Sequence, residues 1–486
     1  MTSGTHPEPR TSVDLSAIIK AYDVRGLVPE QFDPTVARAI GAAVADVLEV
    51  GRATTTGRGR MVVGHDMRPS SPALVDAFAD GVQDRGGDVL IQGLCSTDGL
   101  YYASGALQAC GAMFTASHNP AQYNGIKLCR SGARPVGQDT GLSEVRLLAQ
   151  RYLDEGVPTA GERGDREQRD LLADYAAHLR GLVDLSARRP LKVVVDAGNG
   201  MAGYTVPAVL GTAAGLPPLP LDVVPLYFEL DGTFPNHEAN PLDPENLRDL
   251  QAAVREHGAD LGLAFDGDAD RCFVVDERGE PVNPSSVTAL VALREIAKER
   301  AAGRAAVVIH NLITSRIVPE LVVAAGATPV RTRVGHSFIK QEMATAGAVF
   351  GGEHSAHYYF RDFWYADTGM LAAMHVLAAL GETDVPLSEL VAAYDPYASS
   401  GEINSRVDDV ARATARVRDA FVTAGATADD LDGLTVSSPP DGSGAAWWWF
   451  NLRPSNTEPL LRLNVEAADR ETMTRVRDAV LAVVRG

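Results

Sequence analysis

At 486 residues the chain is too long for one ordinary core, and length alone predicts roughly three domains of about 150 residues each. Its formal net charge of −19, with no long basic run, argues against nucleic acid or anionic membrane as partners, so a phosphorylated substrate would have to meet local cations. No apolar run is long enough to span a bilayer, residues 1–12 read as a disordered polar tail without the core of a secretory signal, and Cys95, Cys110, Cys129 and Cys272 lack metal-ligand spacing, which predicts free thiols in a cytoplasmic protein.

After the tail, Ile18-Ile19-Lys20-Ala21-Tyr22-Asp23-Val24-Arg25-Gly26 is a short apolar run ending in a turn. A strand at 60–64 feeds the polar loop 65–71, a helix with apolar positions at Leu74, Val75, Phe78, Ala79 and Val82, and a strand at 89–91. That order belongs to a parallel α/β sheet, whose site lies at the carboxyl ends of its strands. Next come Thr115-Ala116-Ser117-His118-Asn119-Pro120 and Tyr123-Asn124-Gly125-Ile126-Lys127. Pro120 pushes Asn119 out of helical geometry and Gly125 permits a tight turn, so Ser117 is expected on an ordered loop. A loop serine can accept a phosphoryl group when cations and a metal sit opposite it, although the same residue types fill turns that have no function. Ser117 and His118 do not read as a hydrolase dyad, because neighbouring side chains on an extended chain point to opposite faces.

The strand-turn-helix order returns at 191–195 and again at 305–309 with the helix 317–325. The second repeat contains Gly198-Asn199-Gly200-Met201-Ala202-Gly203, which fits a dinucleotide-binding turn with Asp222 as a ribose-binding acid, but glycine is abundant in this chain and Asp222 lies in the proline-rich stretch 217–225, so a tight strand-to-helix turn is the plainer reading. Charged residues at 154–169 and the segment 381–401 read as linkers. The predicted fold is three similar α/β domains in series, at 13–155, 170–258 and 259–380, plus a smaller C-terminal α+β domain at 398–486.

Asp266-Gly267-Asp268-Ala269-Asp270-Arg271 puts three carboxylates at alternating positions, a site for a hard divalent cation. An EF-hand would need glycine where Arg271 stands and helices where the apolar flanks read as strands. Further on, Val334-Gly335-His336-Ser337 and Gly352-Glu353-His354-Ser355-Ala356-His357 flank a helix, and Glu353, Ser355 and His357 suit a sugar's hydroxyl groups. Arg453-Pro454-Ser455-Asn456-Thr457 offers charge-assisted donors to a phosphate, followed by a strand at 461–466 and a closing helix.

Together the serine loop and the aspartate run resemble the alpha-D-phosphohexomutase family, and the segments at 353–357 and 453–457 extend the resemblance over nearly the whole chain. Ala21-Tyr22-Asp23-Val24-Arg25-Gly26, the 352–357 loop and Asn456 are most similar to bacterial phosphomannomutase/phosphoglucomutase sequences. The resemblance implies a phosphorylated Ser117, with Asp266, Asp268, Asp270 and the Ser117 phosphate holding Mg2+. It implies catalytic roles for His118, Lys127, Arg25 and Arg271, sugar contacts from Tyr22, His336, Glu353, Ser355 and His357, and a phosphate anchor made of Arg453, Ser455, Asn456 and Thr457. The implied reaction interconverts mannose 6-phosphate and mannose 1-phosphate, and extends to glucose phosphates, with a hexose 1,6-bisphosphate as intermediate and activator, in a monomer or homodimer. Other readings are a phosphoglucomutase or phosphoglucosamine mutase and, more distantly, a non-catalytic phosphosugar-binding protein or an NAD-dependent dehydrogenase. One departure is that family members can carry a substrate-contacting lysine near the turn that here reads His310-Asn311-Leu312-Ile313-Thr314.

Overall fold

The computed structural model of the chain describes residues 13–54, 57–438, 446–454 and 460–486, so the expected tail and Ser455, Asn456 and Thr457 lie outside the described residues. It divides into two compact units, 1–280 with 362–382, and 281–361 with 383–486.

In the first unit, strand Arg60–His65 runs between and parallel to Asp88–Leu94 and Cys110–Phe114, and Tyr123–Arg130 then returns antiparallel to Cys110–Phe114. Val24–Leu27 pairs with the outer side of Tyr123–Arg130. Helices Pro34–Val47 and Ser71–Asp84 bring Ile40 and Phe78 to the same apolar core as Val63 and Phe114 of the sheet. A second sheet repeats this plan: Leu191–Asp196 lies parallel to Leu221–Leu226 and Leu261–Phe265, and Cys272–Asp276 returns antiparallel. The apolar flank of the aspartate run, expected from the sequence to open the third domain at residue 259, is strand Leu261–Phe265, and it pairs instead with Leu191–Asp196 of the second. All five of its residues are buried, which is what a strand buried on both faces inside a sheet requires.

The second unit has the plan once more. Val307–Asn311 is parallel to Thr328–Thr332 and Phe350–Gly352, and Tyr358–Phe360 is antiparallel to the latter. A separate antiparallel sheet follows, in the order Ala398–Arg406, Leu460–Ala467, Trp448–Pro454, Leu434–Ser437 and Thr427–Asp429. Helices Val410–Val422 and Arg470–Arg485 close its core through Val417, Val476 and Val480 packed with Phe450 and Leu463. Both predicted linkers carry some regular structure: helix Leu142–Glu155 ends inside the first, and helix Leu387–Ala392 lies within the second. None of the four cysteines forms a disulfide, and no helix among the described residues is long and apolar enough to cross a membrane.

In each of the three repeats, the chain crosses from its last parallel strand to an antiparallel one through a short loop. Those loops are 115–122, 266–271 and 353–357, the segments carrying the chemistry-bearing motifs.

Candidate active site

The first sheet fixes two candidate side chains by register. Lys127 lies opposite Met113, on the strand that leaves the serine loop and pairs with the one that enters it, and Arg25 lies opposite Gly125 on the next strand out. Ser117 itself is buried and adopts φ of 49°, a left-handed conformation that costs a serine about 1 kcal/mol or more and is held only by its surroundings. Its backbone N–H donates to Thr115 Oγ1 at 2.9 Å. The larger restraint is Arg68, wholly buried against Asp66, whose guanidinium donates to four loop carbonyls: Ser117 at 2.9 Å, Asn119 at 2.6 Å, Pro120 at 2.9 Å and Tyr123 at 2.9 Å.

The loop 266–271 meets this serine within the same unit. Gly267 is required there, because a Cβ would stand 2.5 Å from the Ser117 carbonyl oxygen. Ser117 Oγ donates to Asp266 Oδ2 at 2.8 Å, and that oxygen also accepts from Arg271 Nε at 2.8 Å. Lys127 Nζ bridges Asp268 and Asp270 at 2.7 and 2.6 Å. Asp266, Asp268 and Asp270 each offer a carboxylate oxygen, and these atoms lie within 4.8 Å of one another. Asp268 Oδ1 is buried and has no hydrogen-bond partner. A buried carboxylate oxygen left bare is costly, and an all-oxygen set around it suits a hard divalent cation.

The electrostatics follow from this packing. Burial pushes Asp266 up, against the pull of Arg271. Burial would also raise Asp268, but the Lys127 ammonium outweighs it and holds that carboxylate well below the ordinary range. Lys127 is correspondingly raised: desolvation works against its charge, and the Asp268 and Asp270 carboxylates overcome it. Burial, with the nearby Arg271 and Arg25 charges, drives His118 down to about 2. Because Arg271 Nη2 donates to His118 Nδ1 at 2.7 Å, the neutral ring carries its proton on Nε2. Arg25 donates to Asn119 Oδ1 at 2.6 Å and to Asp23 Oδ2 at 2.6 Å, so it braces the far side of the serine loop, while Tyr22 is half-buried just before that strand.

The second unit gathers the other expected residues. Glu353 is buried and its carboxylate is mostly occupied: Oε1 accepts from Asn311 Nδ2 at 3.1 Å and Gly335 N at 3.2 Å, and Oε2 accepts from Tyr359 OH at 2.6 Å. Gly335 immediately precedes His336, the first residue of helix His336–Ala346, so Glu353 ties that turn to its own loop. Ser355 and His357 lie within 3.1 Å through Oγ and Nδ1, and Ala356 turns the loop with φ of 64°. Arg453, at the end of strand Trp448–Pro454, donates to Glu402 Oε2 at 3.1 Å.

Four consecutive segments match the phosphoglucomutase/phosphomannomutase alpha/beta/alpha domains I, II and III and the C-terminal domain, at residues 16–150, 173–279, 283–397 and 402–483. The chain is 42% identical over 463 residues to a protein of Xanthomonas campestris pv. campestris named for phosphohexose mutases, covering 94% of this chain and 97% of that one. This chain belongs to the phosphoglucomutase/phosphomannomutase family. A phosphomannomutase of Escherichia coli is 40% identical over 472 residues, covering 96% of this chain and 98% of the relative. A crystal structure of a phosphoglucomutase/phosphomannomutase family protein from Burkholderia thailandensis superimposes with a TM-score of 0.81 at 31% identity, covering 96% of this chain and 98% of that one.

In this family member, three side chains near the candidate residues carry no sequence signal of their own. Arg68 and Asn311 act through hydrogen bonds to partners more than forty positions away, and Thr97 reaches Asp268 across 171 positions. The glycine-rich turn at 198–203 also has a use that differs from the dinucleotide reading. Met201 N donates to the Gly267 carbonyl at 2.9 Å, and a Cβ on Gly200 would stand 2.7 Å from that same oxygen. The turn therefore docks the aspartate loop, while Asp222 lies largely exposed near the start of its strand, away from the carboxyl end where a ribose would sit.

Proposed function

We propose that the chain interconverts mannose 6-phosphate and mannose 1-phosphate, and the corresponding glucose phosphates, through a phosphorylated Ser117. The observation that carries this reading is the 2.8 Å hydrogen bond from Ser117 Oγ to Asp266, in a triad whose neighbouring Asp268 keeps one bare buried oxygen. Asp266, Asp268 and Asp270, with an oxygen of the Ser117 phosphate, would hold Mg2+. Bound there, the ion supplies charge stabilisation to the phosphoryl group in transfer. Three carboxylates face two cations, Lys127 and Arg271, and a phosphoserine adds about −1.5 to −2 charges, an excess that suits a divalent ion.

In the first half-reaction the phosphoryl group leaves Ser117 Oγ for a free sugar hydroxyl, whose proton ends on the freed serine oxygen, giving a hexose 1,6-bisphosphate and an unphosphorylated Ser117. In the second, the other phosphoryl group passes from the sugar to Ser117, whose hydroxyl proton has Asp266 Oδ2 as its nearest acceptor. Lys127, an ammonium bridging Asp268 and Asp270, offsets charge beside the transferred group. His118, neutral with Nδ1 occupied by Arg271, holds that guanidinium in place. Added hexose 1,6-bisphosphate would act as activator by phosphorylating resting Ser117. Glu353, Ser355, His357, His336 and Tyr22 supply sugar contacts, and Arg453 with Ser455, Asn456 and Thr457 anchors the phosphate not in transfer.

The test is turnover of mannose 1-phosphate with Mg2+ and a trace of glucose 1,6-bisphosphate, together with peptide mapping of the labelled enzyme. Mannose 6-phosphate should form, and one phosphoryl group should map to Ser117. Binding of the sugar phosphate without turnover would instead favour a non-catalytic binding protein.

A further inference from the structure

Asp268 differs from its two companions in how it is held. Thr97, the first residue of helix Thr97–Leu107, is wholly buried and grips Asp268 twice: its N–H donates to the Asp268 carbonyl at 3.0 Å, and its Oγ1 donates to Asp268 Oδ2 at 2.6 Å. Lys127 Nζ takes the same oxygen at 2.7 Å. Two donors on Oδ2 fix the carboxylate's rotation and leave Oδ1 as the oxygen with no protein partner. Thr97 is fixed in turn by its neighbours. Ser96 caps the helix by accepting from Gly99 N at 3.2 Å, and buried Asp98 accepts from Tyr175 OH at 2.7 Å and Thr368 Oγ1 at 2.7 Å. The helix end thus has a side-chain anchor on each side of the threonine.

We propose that Thr97 is a positioning residue for the metal: its hydroxyl occupies Asp268 Oδ2 and thereby presents Oδ1 to a divalent cation. The inference rests on the metal reading of the aspartate triad given above. A ligating carboxylate whose outer partner is removed is free to rotate, and loss of such a partner costs roughly 10- to 100-fold in metal affinity.

The experiment is a Mn2+ titration of the full chain stripped of metal, with free Mn2+ read by its electron paramagnetic resonance signal. Thr97→Val keeps the branched shape and deletes the donor, and should raise the Mn2+ dissociation constant about 10- to 100-fold. Thr97→Ala, for use if the valine variant does not fold, carries the same expectation. Thr97→Ser restores the hydroxyl and should bind within about threefold of the parent. Asp268→Asn should abolish saturable binding. Parental affinity in the valine or alanine variant, or a serine variant as weak as either, overturns the role of Thr97 while leaving the metal site standing. A parent protein without saturable Mn2+ binding, or an Asp268→Asn variant that binds as the parent does, overturns the metal reading and this inference with it.

Discussion

The loops 266–271 and 353–357 occupy the same position in successive repeats, each crossing from a parallel strand to an antiparallel one, and their carboxylates are used in opposite ways. In the first, buried Asp268 leaves an oxygen bare. In the second, Glu353 has one oxygen filled by Asn311 and Gly335 and the other engaged by Tyr359, which leaves a single acceptor position on Oε2. The same backbone plan therefore supports a loop with open valence, fit for a cation, and one nearly saturated, fit for a single directed contact to a hydroxyl. What separates them is the donors gathered around each loop. The aspartates meet two cations, Lys127 and Arg271, as well as the Ser117 and Thr97 hydroxyls, whereas the hydrogen bonds to Glu353 come from neutral groups, Asn311, the Gly335 N–H and Tyr359.

That contrast can be broken most forcefully at the serine facing the aspartates. Ser117→Ala should lower kcat at least about 10⁴-fold and abolish labelling by hexose bisphosphate, measured by steady-state turnover and intact mass. Substantial residual turnover would mean that the open loop does not serve a phosphoserine. Gly267→Ala presses a methyl group on the Ser117 carbonyl and should cost about 100-fold in kcat, the scale of a displacement near 1 Å, with sugar-phosphate KM little changed.

At the saturated loop the expected effect is smaller. Glu353→Gln keeps the shape but weakens the acceptor to Tyr359, Asn311 and the sugar, which should reduce kcat/KM by about 10- to 100-fold. Mannose and glucose phosphates should suffer equally, because the two sugars differ only at carbon 2 and the contact is shared. Specificity constants for the two 1-phosphates test this, and an effect on one sugar alone would refute it.

The smallest effect on activity is expected beneath the third repeat. Glu299 is buried and accepts from Arg304 and Arg361, which hold it below the usual carboxylate range. Glu299→Gln should leave kcat intact and cost about 2 kcal/mol of stability at neutral pH, less than a fully buried pair because Arg304 is half exposed. Since the folded-state value lies below the unfolded one, the contribution is complete above about pH 4.3 and is lost as pH falls through the lowered folded value. Denaturation of parent and variant from pH 7 to 2 should therefore show the difference shrinking in acid.

How much of this was legible in the sequence depended on where each residue's partners lie. Ser117 and the three aspartates could be singled out only as a pair of short runs, since the serine run alone also reads as a turn, and the fold brings the two runs into hydrogen-bond contact. The repeat of strand, loop and helix was equally local. The assignment of Leu261–Phe265 to the second sheet was not, since an apolar run does not say which strand it will pair with. Arg68, Thr97 and Asn311 were silent for the same reason, and Glu353 was legible as a polar group but not as one largely spent on its own protein. The turn at 198–203 could be read as a tight turn but not as a docking surface, because glycine records close approach without naming what approaches, here the Gly267 peptide.

The hold of Arg68 on the serine loop has a consequence for how this protein can change. Its four acceptors are carbonyl oxygens, which every amino acid possesses, so the part of the loop's shape that Arg68 sets is specified without reference to the side chains it displays. Beyond Thr115, Ser117, His118 and Asn119, which have partners of their own, side chains along that stretch can drift so long as the distant arginine and the aspartate beneath it stay. The memory of the loop's form is written in one place and its vocabulary in another, and selection can edit the second without erasing the first.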